Sequence, residues 1–465
     1  MLRARFVAVA LGSAFVMGPA PAQRSALPER PPNILLIVAD DLGWNDVGYH
    51  GSRIRTPHLD GLAARAVELD QHYVQPLCSP TRAALLTGRY PSRFGPHALG
   101  PTNRRALPLG TPTLASVLRE RGYFTAIAGK WHLGSRPEWG PNHYGFARSY
   151  GLLTGAGDPW THQYREGPYA DTWHRDLEPL QEEGNLTELV AAQVLEWIET
   201  PRSEPWLVYV PFTAVHIPID APQRYLDEYR DAEFYEDPQA NESFQRYAAF
   251  VSQLDDKVGS FLAALDRTEQ RENTIVVFFS DNGGLPGGGN AYISEVPPAP
   301  VAASNAPLRG RKGQLYEGGI RVPALIAWPG RLEPRRVRTP LHVVDWLPTL
   351  AGLVGLEPAV LPERLDGRDA GAALRGEPAD LVHRVLYWPF RQSAAVRAGG
   401  WKLITTWRGE TPKHQLFDLD ADPAEAHDLA ETEPQTLARL VSHWQALRED
   451  DVTEVPADLV GVSER

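Results

Sequence analysis

The sequence predicts an α/β protein with a large, mainly parallel or mixed sheet, covered by helices on both faces, and a smaller C-terminal α+β subdomain with an antiparallel sheet. Three observations lead to this fold class. Uninterrupted apolar runs of strand length recur along the chain, segments with helical spacing separate them, and short strand-like runs follow in the last quarter. Continuous apolar strands that alternate with helices are typical of a parallel sheet buried on both faces.

The strands of the large sheet are predicted from the apolar runs at residues 33–39, 124–128, 206–210 and 274–279. Helices are predicted at residues 114–121 and 189–198. A longer helix follows, in which apolar residues recur at steps of three and four; these residues are Tyr247, Val251, Leu254, Val258, Phe261 and Leu265.

A change in composition indicates where the C-terminal subdomain begins. Residues 356–380 are rich in proline, glycine and charge, and we place the boundary so that a large domain covers residues 23–360 and the subdomain covers residues 361–465. Short strands are predicted in the subdomain at residues 385–389, 394–396, 401–406 and 415–419, with a closing helix at residues 435–447.

The first 22 residues are typical of an export signal. Arg3 and Arg5 precede an apolar run at residues 6–17, and small residues at positions 20–22 form a cleavage site. The alternative is an uncleaved anchor, but the apolar run is too short for roughly 30 Å of hydrocarbon. We therefore expect an exported protein, periplasmic or secreted, that is not bound to the membrane once the signal is removed.

The net charge and the cysteine content limit the classes of function that this protein can have. The formal net charge of −12 argues against a nucleic-acid-binding protein, which needs a positive field along the phosphate backbone. An anionic substrate would have to be bound by local cations. The single cysteine, Cys78, cannot form a disulfide within the chain, so it is either an inert buried thiol or a functional group.

Acidic and amide side chains follow two of the predicted strands directly. Asp40 and Asp41 come after the first strand, and Asp281 and Asn282 come after the strand at residues 274–279. The carboxyl edge of a parallel sheet is where such folds bind ligands, and carboxylate and amide oxygens suit Ca²⁺ or Mg²⁺. Each pair could instead form a turn or cap a helix.

Cys78 begins a predicted helix, because Pro80 is suited to the first turn of a helix. The free amides and the dipole of that helix would favour an anion beside Cys78. Arg82, one turn further on, could bind Cys78 or a modified form of it by hydrogen bonds. The same pattern also fits an ordinary helix that starts with proline.

Residues 78–82, Cys-Ser-Pro-Thr-Arg, resemble the Cys-x-Pro-x-Arg signature of type I sulfatases, in which the cysteine becomes formylglycine. The resemblance extends over about residues 32–355. Further matching segments are residues 40–41, 56–60, 86–90, 129–134, 280–284 and 307–312. Residues 49–56 and 75–78 look most like the arylsulfatase B branch, whose animal member removes the 4-sulfate from N-acetylgalactosamine.

The resemblance implies an alkaline-phosphatase-like fold, with residues 23–360 as the catalytic domain, and a sulfuric ester hydrolase activity. It implies one Ca²⁺ per chain, bound by Asp40, Asp41, Asp281, Asn282 and the modified Cys78. It also implies a partner during maturation, a formylglycine-generating enzyme that converts the cysteine to formylglycine (3-oxoalanine).

The resemblance also assigns roles to five further residues. Arg82 would hold the formylglycine hydrate, whose hydroxyl would attack sulfur. Lys130 and Lys312 would bind the sulfate oxygens, in keeping with the need to neutralise charge on the transferring group. His132 would transfer the proton on the formylglycine side and His216 on the leaving-group side, where Lys312 could also act.

The expected substrate is a sulfated carbohydrate, such as an N-acetylgalactosamine 4-sulfate, or an aryl sulfate. Two alternatives remain, a phosphonate or phosphate ester hydrolase of the same superfamily and a non-catalytic glycan-binding descendant. Animal arylsulfatase B relatives carry disulfides, which this chain cannot form internally. Residues 152–175 are expected to shape the substrate pocket, and their aromatic rings either stack on a sugar or pack internally; the residues concerned are Trp160, His162, Trp173 and His174.

Overall fold

The computed structural model of the protein describes residues 30–288, 295–379, 381, 384–407, 409 and 411–462. The predicted export signal therefore lies outside the described residues. Within the described part of the chain, no helix is both long and apolar enough to cross a membrane.

The described residues form strands and helices in the following order. The strands are β1 (Asn33–Ala39), β2 (Val67–Leu69), β3 (His72–Tyr73), β4 (Phe124–Lys130), β5 (Arg148–Leu152), β6 (Trp173–Arg175), β7 (Glu178–Pro179), β8 (Trp206–Pro211), β9 (Thr274–Ser280), β10 (Ala324–Ala327), β11 (Arg335–Val337), β12 (Leu341–His342), β13 (Val385–Phe390), β14 (Ser393–Ala398), β15 (Trp401–Trp407) and β16 (Pro412–Asp418). The helices are α1 (Pro57–Ala63), α2 (Cys78–Thr87), α3 (Leu114–Arg119), α4 (Leu186–Glu199), α5 (Gln223–Asp227), α6 (Pro238–Arg267), α7 (Glu317–Ile320), α8 (Trp346–Leu353), α9 (Gly371–Leu374) and α10 (Pro434–Arg448).

The central sheet has ten strands in the order β11-β2-β10-β9-β1-β8-β4-β5-β6-β7. Its five middle strands, β9, β1, β8, β4 and β5, are all parallel. Antiparallel strands flank them, with β10 beside β9 and β6 beside β5. The predicted fold class, a large mainly parallel sheet of mixed type, is confirmed.

Helices cover both faces of this sheet, as the alternation of side chains along β1 illustrates. Ile34, Leu36 and Val38 belong to an apolar cluster with residues of α2, α3 and α8. Leu35 and Ile37 belong to a second cluster with residues of α1, α4 and α6. Because each face is buried, the apolar run of β1 is uninterrupted.

The C-terminal residues form a four-stranded antiparallel sheet, β13-β14-β15-β16, against which α10 packs. This agrees with the predicted α+β subdomain. The first apolar cluster contains Val396 and Leu403 from this sheet and Leu440 and Trp444 from α10. The apolar core therefore continues across residue 360, and the division of the chain at that residue stays a prediction.

A buried group of charged residues also joins the C-terminal sheet to the rest of the protein. The Lys402 ammonium on β15 lies 2.8 Å from Glu317 Oε1 and 2.9 Å from Glu425 Oε1. The Tyr73 hydroxyl donates to Glu317 Oε2 at 2.7 Å. Because these side chains are buried, each charge depends on its partner inside the protein.

Candidate active site

Polar side chains meet at one edge of the sheet because the four strands that precede them are parallel. β1, β9 and β8 run in register, with Ala39 opposite Ser280 and Val38 opposite Pro211. The acidic and amide residues predicted as metal ligands follow β1 and β9 directly, Lys130 is the last residue of β4, and His216 follows β8. The predicted carboxyl-edge cluster is therefore present.

Cys78 lies at the same edge as the first residue of α2, and only 2% of it is exposed. Its Sγ and carboxylate oxygens of Asp40 and Asp281 all lie within 4.8 Å of one another. Carboxylate oxygens of Asp40 and Asp41 and a ring nitrogen of His216 satisfy the same limit. The two groups share Asp40, so the predicted nucleophile and metal ligands form one site.

Asp40 and Asp281 are paired with buried cations. The Lys130 ammonium donates to Asp40 Oδ2 at 2.6 Å. The Arg82 guanidinium donates to Asp281 Oδ2 at 2.7 Å from Nη2 and at 3.2 Å from Nε. Arg82 Nη1 also donates to the Lys130 carbonyl oxygen at 2.8 Å. These bonds fix Arg82 between α2, β4 and β9, beside the residue that it is predicted to hold.

Asp41 is surrounded by three other predicted site residues. The Lys312 ammonium donates to Asp41 Oδ2 at 2.8 Å, and the Asn282 amide donates to Asp41 Oδ1 at 2.7 Å. His216 Nε2 lies 3.8 Å from Asp41 Oδ2. The Nδ1–H of His216 donates to the Ile217 carbonyl oxygen at 2.6 Å, which leaves Nε2 as the nitrogen that faces the site.

Burial and neighbouring charge shift the pKa values of the two paired acids in opposite directions. Burial, with the charge of Asp40, raises the pKa of Asp281 to about 6 although Arg82 opposes this. Burial alone would also raise the pKa of Asp40, but Lys130, His216, Lys312 and Arg82 together hold it well below its usual range. The cluster therefore holds a carboxylate that stays ionised and one that is costly to ionise without a further positive charge.

The two histidines are neutral bases at neutral pH. Burial, followed by the charge of Lys312, lowers the pKa of His216 to about 4. Burial and the charges of Lys130 and Arg82 hold the pKa of His132 well below its usual range. Burial also raises the pKa of the Cys78 thiol, so the unmodified cysteine is a weak nucleophile.

The oxygens of the site fit a hard divalent cation. Asp40 Oδ1 and Asn282 Oδ1 are buried, and neither has a hydrogen-bond partner among the described residues. Leaving a buried acceptor unpaired costs about 1–3 kcal/mol, which coordination to a cation would offset. Carboxylate and amide oxygens are the ligands that Ca²⁺ prefers. The chain thus presents a donor set that suits this ion.

Two site residues have backbone conformations that are uncommon for residues other than glycine. Asp41 has a φ of 65° and His132 has a φ of 55°, both in the left-handed region. The His132 backbone N–H donates to the Leu153 carbonyl oxygen at 3.1 Å. Such strain persists where the surrounding structure holds it, and it is concentrated at functional sites.

Gly155 contacts the ring of His132 and is a site residue that no sequence motif indicates. A Cβ atom at Gly155 would lie 2.3 Å from His132 Nε2. Only a residue without a side chain leaves room for this ring. It lies in the segment at residues 152–175, which is expected from the sequence to shape the substrate pocket as a whole.

In the segment at residues 152–175, most of the aromatic and histidine side chains pack internally, which is one of the two expected alternatives. His162, Trp173 and His174 are buried, so their rings pack inside the protein. Trp160, in contrast, is 43% exposed. Of the four aromatic and histidine side chains expected to shape a pocket, Trp160 is thus the exposed one.

Comparisons with known proteins agree with this geometry. The family model described as Sulfatase matches residues 32–356, and one described as N-sulphoglucosamine sulphohydrolase, C-terminal, matches residues 311–449. Arylsulfatase J of Mus musculus is 33% identical, over 91% of this chain and 76% of that protein. Arylsulfatase A of Homo sapiens is 36% identical, over 85% of this chain and 78% of that protein.

A solved structure, that of Ps i-CgsB, has a TM-score of 0.79 and 30% sequence identity, and the match covers 91% of this chain and 94% of that one. The narrower resemblance to the arylsulfatase B branch, and the individual roles of the site residues, stay predictions. The match over most of the chain, together with these relatives, identifies the protein as an enzyme that hydrolyses sulfate esters, and the chain belongs to the sulfatase family.

Proposed function

We propose that this sulfatase removes sulfate from a sulfated carbohydrate, with a formylglycine formed from Cys78 and a Ca²⁺ ion in the cluster described above. The observation that carries the proposal is the position of Cys78. Its sulfur lies within 4.8 Å of carboxylate oxygens of Asp40 and Asp281, and its own thiol is a weak nucleophile because burial raises its pKa.

The modification would remove this weakness. A hydrated formylglycine supplies a hydroxyl that can attack sulfur and a second hydroxyl from which a proton can be taken to release sulfate. In the unmodified chain, Arg82 lies one helical turn beyond Cys78 and is fixed by Asp281 and the Lys130 carbonyl oxygen. A guanidinium held in this way is suited to orient a hydroxyl at position 78.

Asp40, Asp41, Asp281 and Asn282 would hold Ca²⁺, with the modified Cys78 as a further ligand. The unpaired oxygens of Asp40 and Asn282 support this choice. A bound Ca²⁺ supplies positive charge next to the nucleophile and the sulfate oxygens.

The remaining side chains would bind the sulfate group and move protons. Lys130 and Lys312 lie beside the two carboxylates and add positive charge where the sulfate group would lie, in a chain with an overall charge of −12. His132, a neutral imidazole, would accept the proton from position 78. Lys312 would donate a proton to the departing alcohol, and His216, whose Nε2 faces the site, would act beside it.

The names of two relatives support a carbohydrate substrate. N-acetylgalactosamine-6-sulfatase of Canis lupus familiaris is 34% identical to this chain, over 81% of it and 72% of that protein. Ps i-CgsB has also been solved in complex with k-i-k-neocarrahexaose, at 29% identity and a TM-score of 0.79. An aryl sulfate is the second candidate, because arylsulfatases A and J are among the relatives.

The proposal extends to maturation and export. The pattern of the first 22 residues supports removal of a signal peptide and export to the periplasm or the medium. A formylglycine-generating enzyme would act on Cys78, which is 2% exposed once the chain has folded. We therefore expect this partner to act before folding buries position 78.

Two measurements test the proposal together. Mass spectrometry of the peptide that contains Cys78, taken from active protein, is expected to show formylglycine. Kinetics are then compared for N-acetylgalactosamine 4-sulfate and 6-sulfate, 4-nitrophenyl sulfate and 4-nitrophenyl phosphate. We expect turnover of the sulfates to exceed that of the phosphate and to disappear in Cys78→Ala.

Three results would contradict the proposal. Full sulfatase activity in protein whose Cys78 is entirely unmodified would exclude the formylglycine. Faster hydrolysis of the phosphate would favour the phosphate or phosphonate ester hydrolase, and binding of glycans without turnover of any ester would favour the non-catalytic alternative.

A further inference from the structure

We propose that Trp160 and Asp220 act as a unit that binds the sugar ring of the substrate at the rim of the active site. This inference rests on the proposed function, because it names the part of the substrate that the unit recognises. It assigns to the two residues the preference for a pyranose that carries a free hydroxyl near the sulfated carbon.

The exposure of Trp160 is the first observation. Tryptophan buries a large apolar surface when it packs, yet 43% of this side chain is exposed, while Trp173 in the same segment is buried. No ring or cation stacks on the Trp160 indole among the residues described by the structure. A flat apolar surface is therefore available to a ligand.

Trp160 is exposed but fixed in position. Its indole Nε1–H donates to Asp220 Oδ2 at 2.9 Å, and its backbone N–H donates to Asp158 Oδ1 at 2.9 Å. Both the main chain and the side chain are thus held before a substrate arrives. A ring fixed in this way loses little conformational entropy when it binds, and this increases affinity.

The hydrogen bond between Trp160 and Asp220 joins the segment after β5, which contacts His132, to the segment that carries His216. The segment of Trp160 contacts His132, through the Leu153 carbonyl oxygen and through Gly155 against the ring. Asp220 is four residues beyond His216, so their Cα atoms are at most about 14 Å apart. The alcohol part of a sulfate ester, leaving from between these histidines, would meet this pair.

The chemistry of the pair favours a sugar over a simple aromatic alcohol. The indole face can pack against the C–H face of a pyranose ring. An ionised carboxylate has about four sites for hydrogen bonds, and the indole uses one, so Asp220 can accept bonds from sugar hydroxyls. An aryl ring can stack on Trp160 but offers no hydroxyl to Asp220. A second sulfate group on the sugar, placed beside the Asp220 carboxylate, would be repelled.

Steady-state kinetics of Trp160→Ala and Asp220→Ala test the inference, with N-acetylgalactosamine 4-sulfate, N-acetylgalactosamine 6-sulfate and 4-nitrophenyl sulfate as probes. For the better of the two sugar sulfates, each variant is expected to raise KM about tenfold while kcat changes less than about threefold. In Asp220→Ala, the ratio of kcat/KM for the sugar to that for the aryl sulfate should fall about tenfold. A KM within twofold of the wild-type value in either variant would overturn the proposal.

A double-mutant cycle tests whether the two residues act as a unit. Trp160→Phe keeps an aromatic ring but removes the N–H that donates to Asp220. If the pair is coupled, Trp160→Phe combined with Asp220→Ala raises KM for the sugar sulfate no more than Asp220→Ala alone. If the fold-increases in KM of the two single variants instead multiply in the double variant, the two residues do not act together and this part of the inference is overturned.

Phe124→Ala is the matched control, because it removes an aromatic ring at the opposite end of β4 from Lys130, roughly 20 Å away. It should leave both KM values unchanged, and the Tm of every variant is measured alongside. Binding of the sugar sulfate to the inactive Cys78→Ala protein, measured by calorimetry, gives a readout that is independent of turnover. Trp160→Ala in that background should weaken binding about tenfold.

Equal binding with and without Trp160 would refute the inference. The absence of turnover with every sulfate ester would instead refute the proposed function.

Discussion

Replacing Gly155 by alanine is expected to displace the ring of His132 and to slow catalysis. The added Cβ would lie 2.3 Å from His132 Nε2 and 2.4 Å from Cε1, whereas ordinary van der Waals contact begins at 3.4 Å. Gly155 is not in the left-handed region, so alanine fits its backbone and the clash with the ring is the main effect.

The size of the effect follows from the distance that the ring must move. Reaching ordinary contact requires a shift of about 1 Å, and a misplacement of this size can reduce the rate on the order of 100-fold. That factor corresponds to about 2.7 kcal/mol of transition-state stabilisation. Overpacking at the same point is expected to lower the free energy of unfolding by about 1–3 kcal/mol, which a folded domain can tolerate.

The assay combines kcat/KM for the best sulfate ester with the free energy of unfolding in urea. His132→Ala removes the ring, so Gly155→Ala should have almost no further effect in that background, on rate or on stability. Gly61→Ala is the control, because a Cβ at Gly61 comes no nearer than 3.9 Å to Arg65. It lies in α1 and should preserve activity and add about 0.5–1 kcal/mol of stability. A kcat/KM for Gly155→Ala within threefold of the wild-type value, or an equal loss with and without the His132 ring, would refute the reasoning.

Three further predictions concern stability and the metal. Burial lowers the pKa of His72 to about 3, and its Nε2 accepts a hydrogen bond from Trp346 Nε1 at 2.9 Å. An unfolded histidine titrates near 6.5, so the neutral His72 favours the folded state above that pH. This contribution to the free energy of unfolding is lost as the pH falls towards 3, at up to about 1.4 kcal/mol per pH unit. His72→Gln should therefore flatten the dependence of urea unfolding on pH between about 6.5 and 4.5, and an unchanged slope would contradict this. Lys402→Met leaves Glu317 and Glu425 buried without their shared ammonium and should lower the free energy of unfolding by about 3–5 kcal/mol, whereas a loss below 1 kcal/mol would show that the cluster is not stabilising. Removal of the cation with a chelator should lower the Tm and abolish turnover, with Ca²⁺ restoring both; activity that survives exhaustive chelation would exclude the metal site.

The central sheet could be predicted because its middle strands are buried on both faces. Apolar runs such as the one in β1 are long enough to identify without a structure, and the parallel arrangement then brings the residues that follow them to one edge. Asp40 and Asp281 were found in this way. Lys312, in contrast, follows no strand, and the resemblance to sulfatases was needed to identify it.

The short flanking strands could not be predicted from periodicity. β6 and β7 contain three and two residues, too few to show an alternation. Without these strands, the sequence could not decide whether the rings of residues 152–175 stack on a substrate or pack internally. Trp173 and His174 are buried because β6 pairs with β5, a contact between distant residues that composition does not reveal. The exposure of Trp160 is likewise set by tertiary structure.

The apolar cluster shared by the central sheet and the C-terminal subdomain has a consequence for biosynthesis. Leu440 and Trp444 in α10 pack in the same cluster as Ile34 and Leu36 of β1, so these two distant elements contribute to one core. A chain emerging from the ribosome cannot complete that core until α10 has been made. Truncation within α10 should therefore leave part of this core exposed and make the protein prone to aggregation.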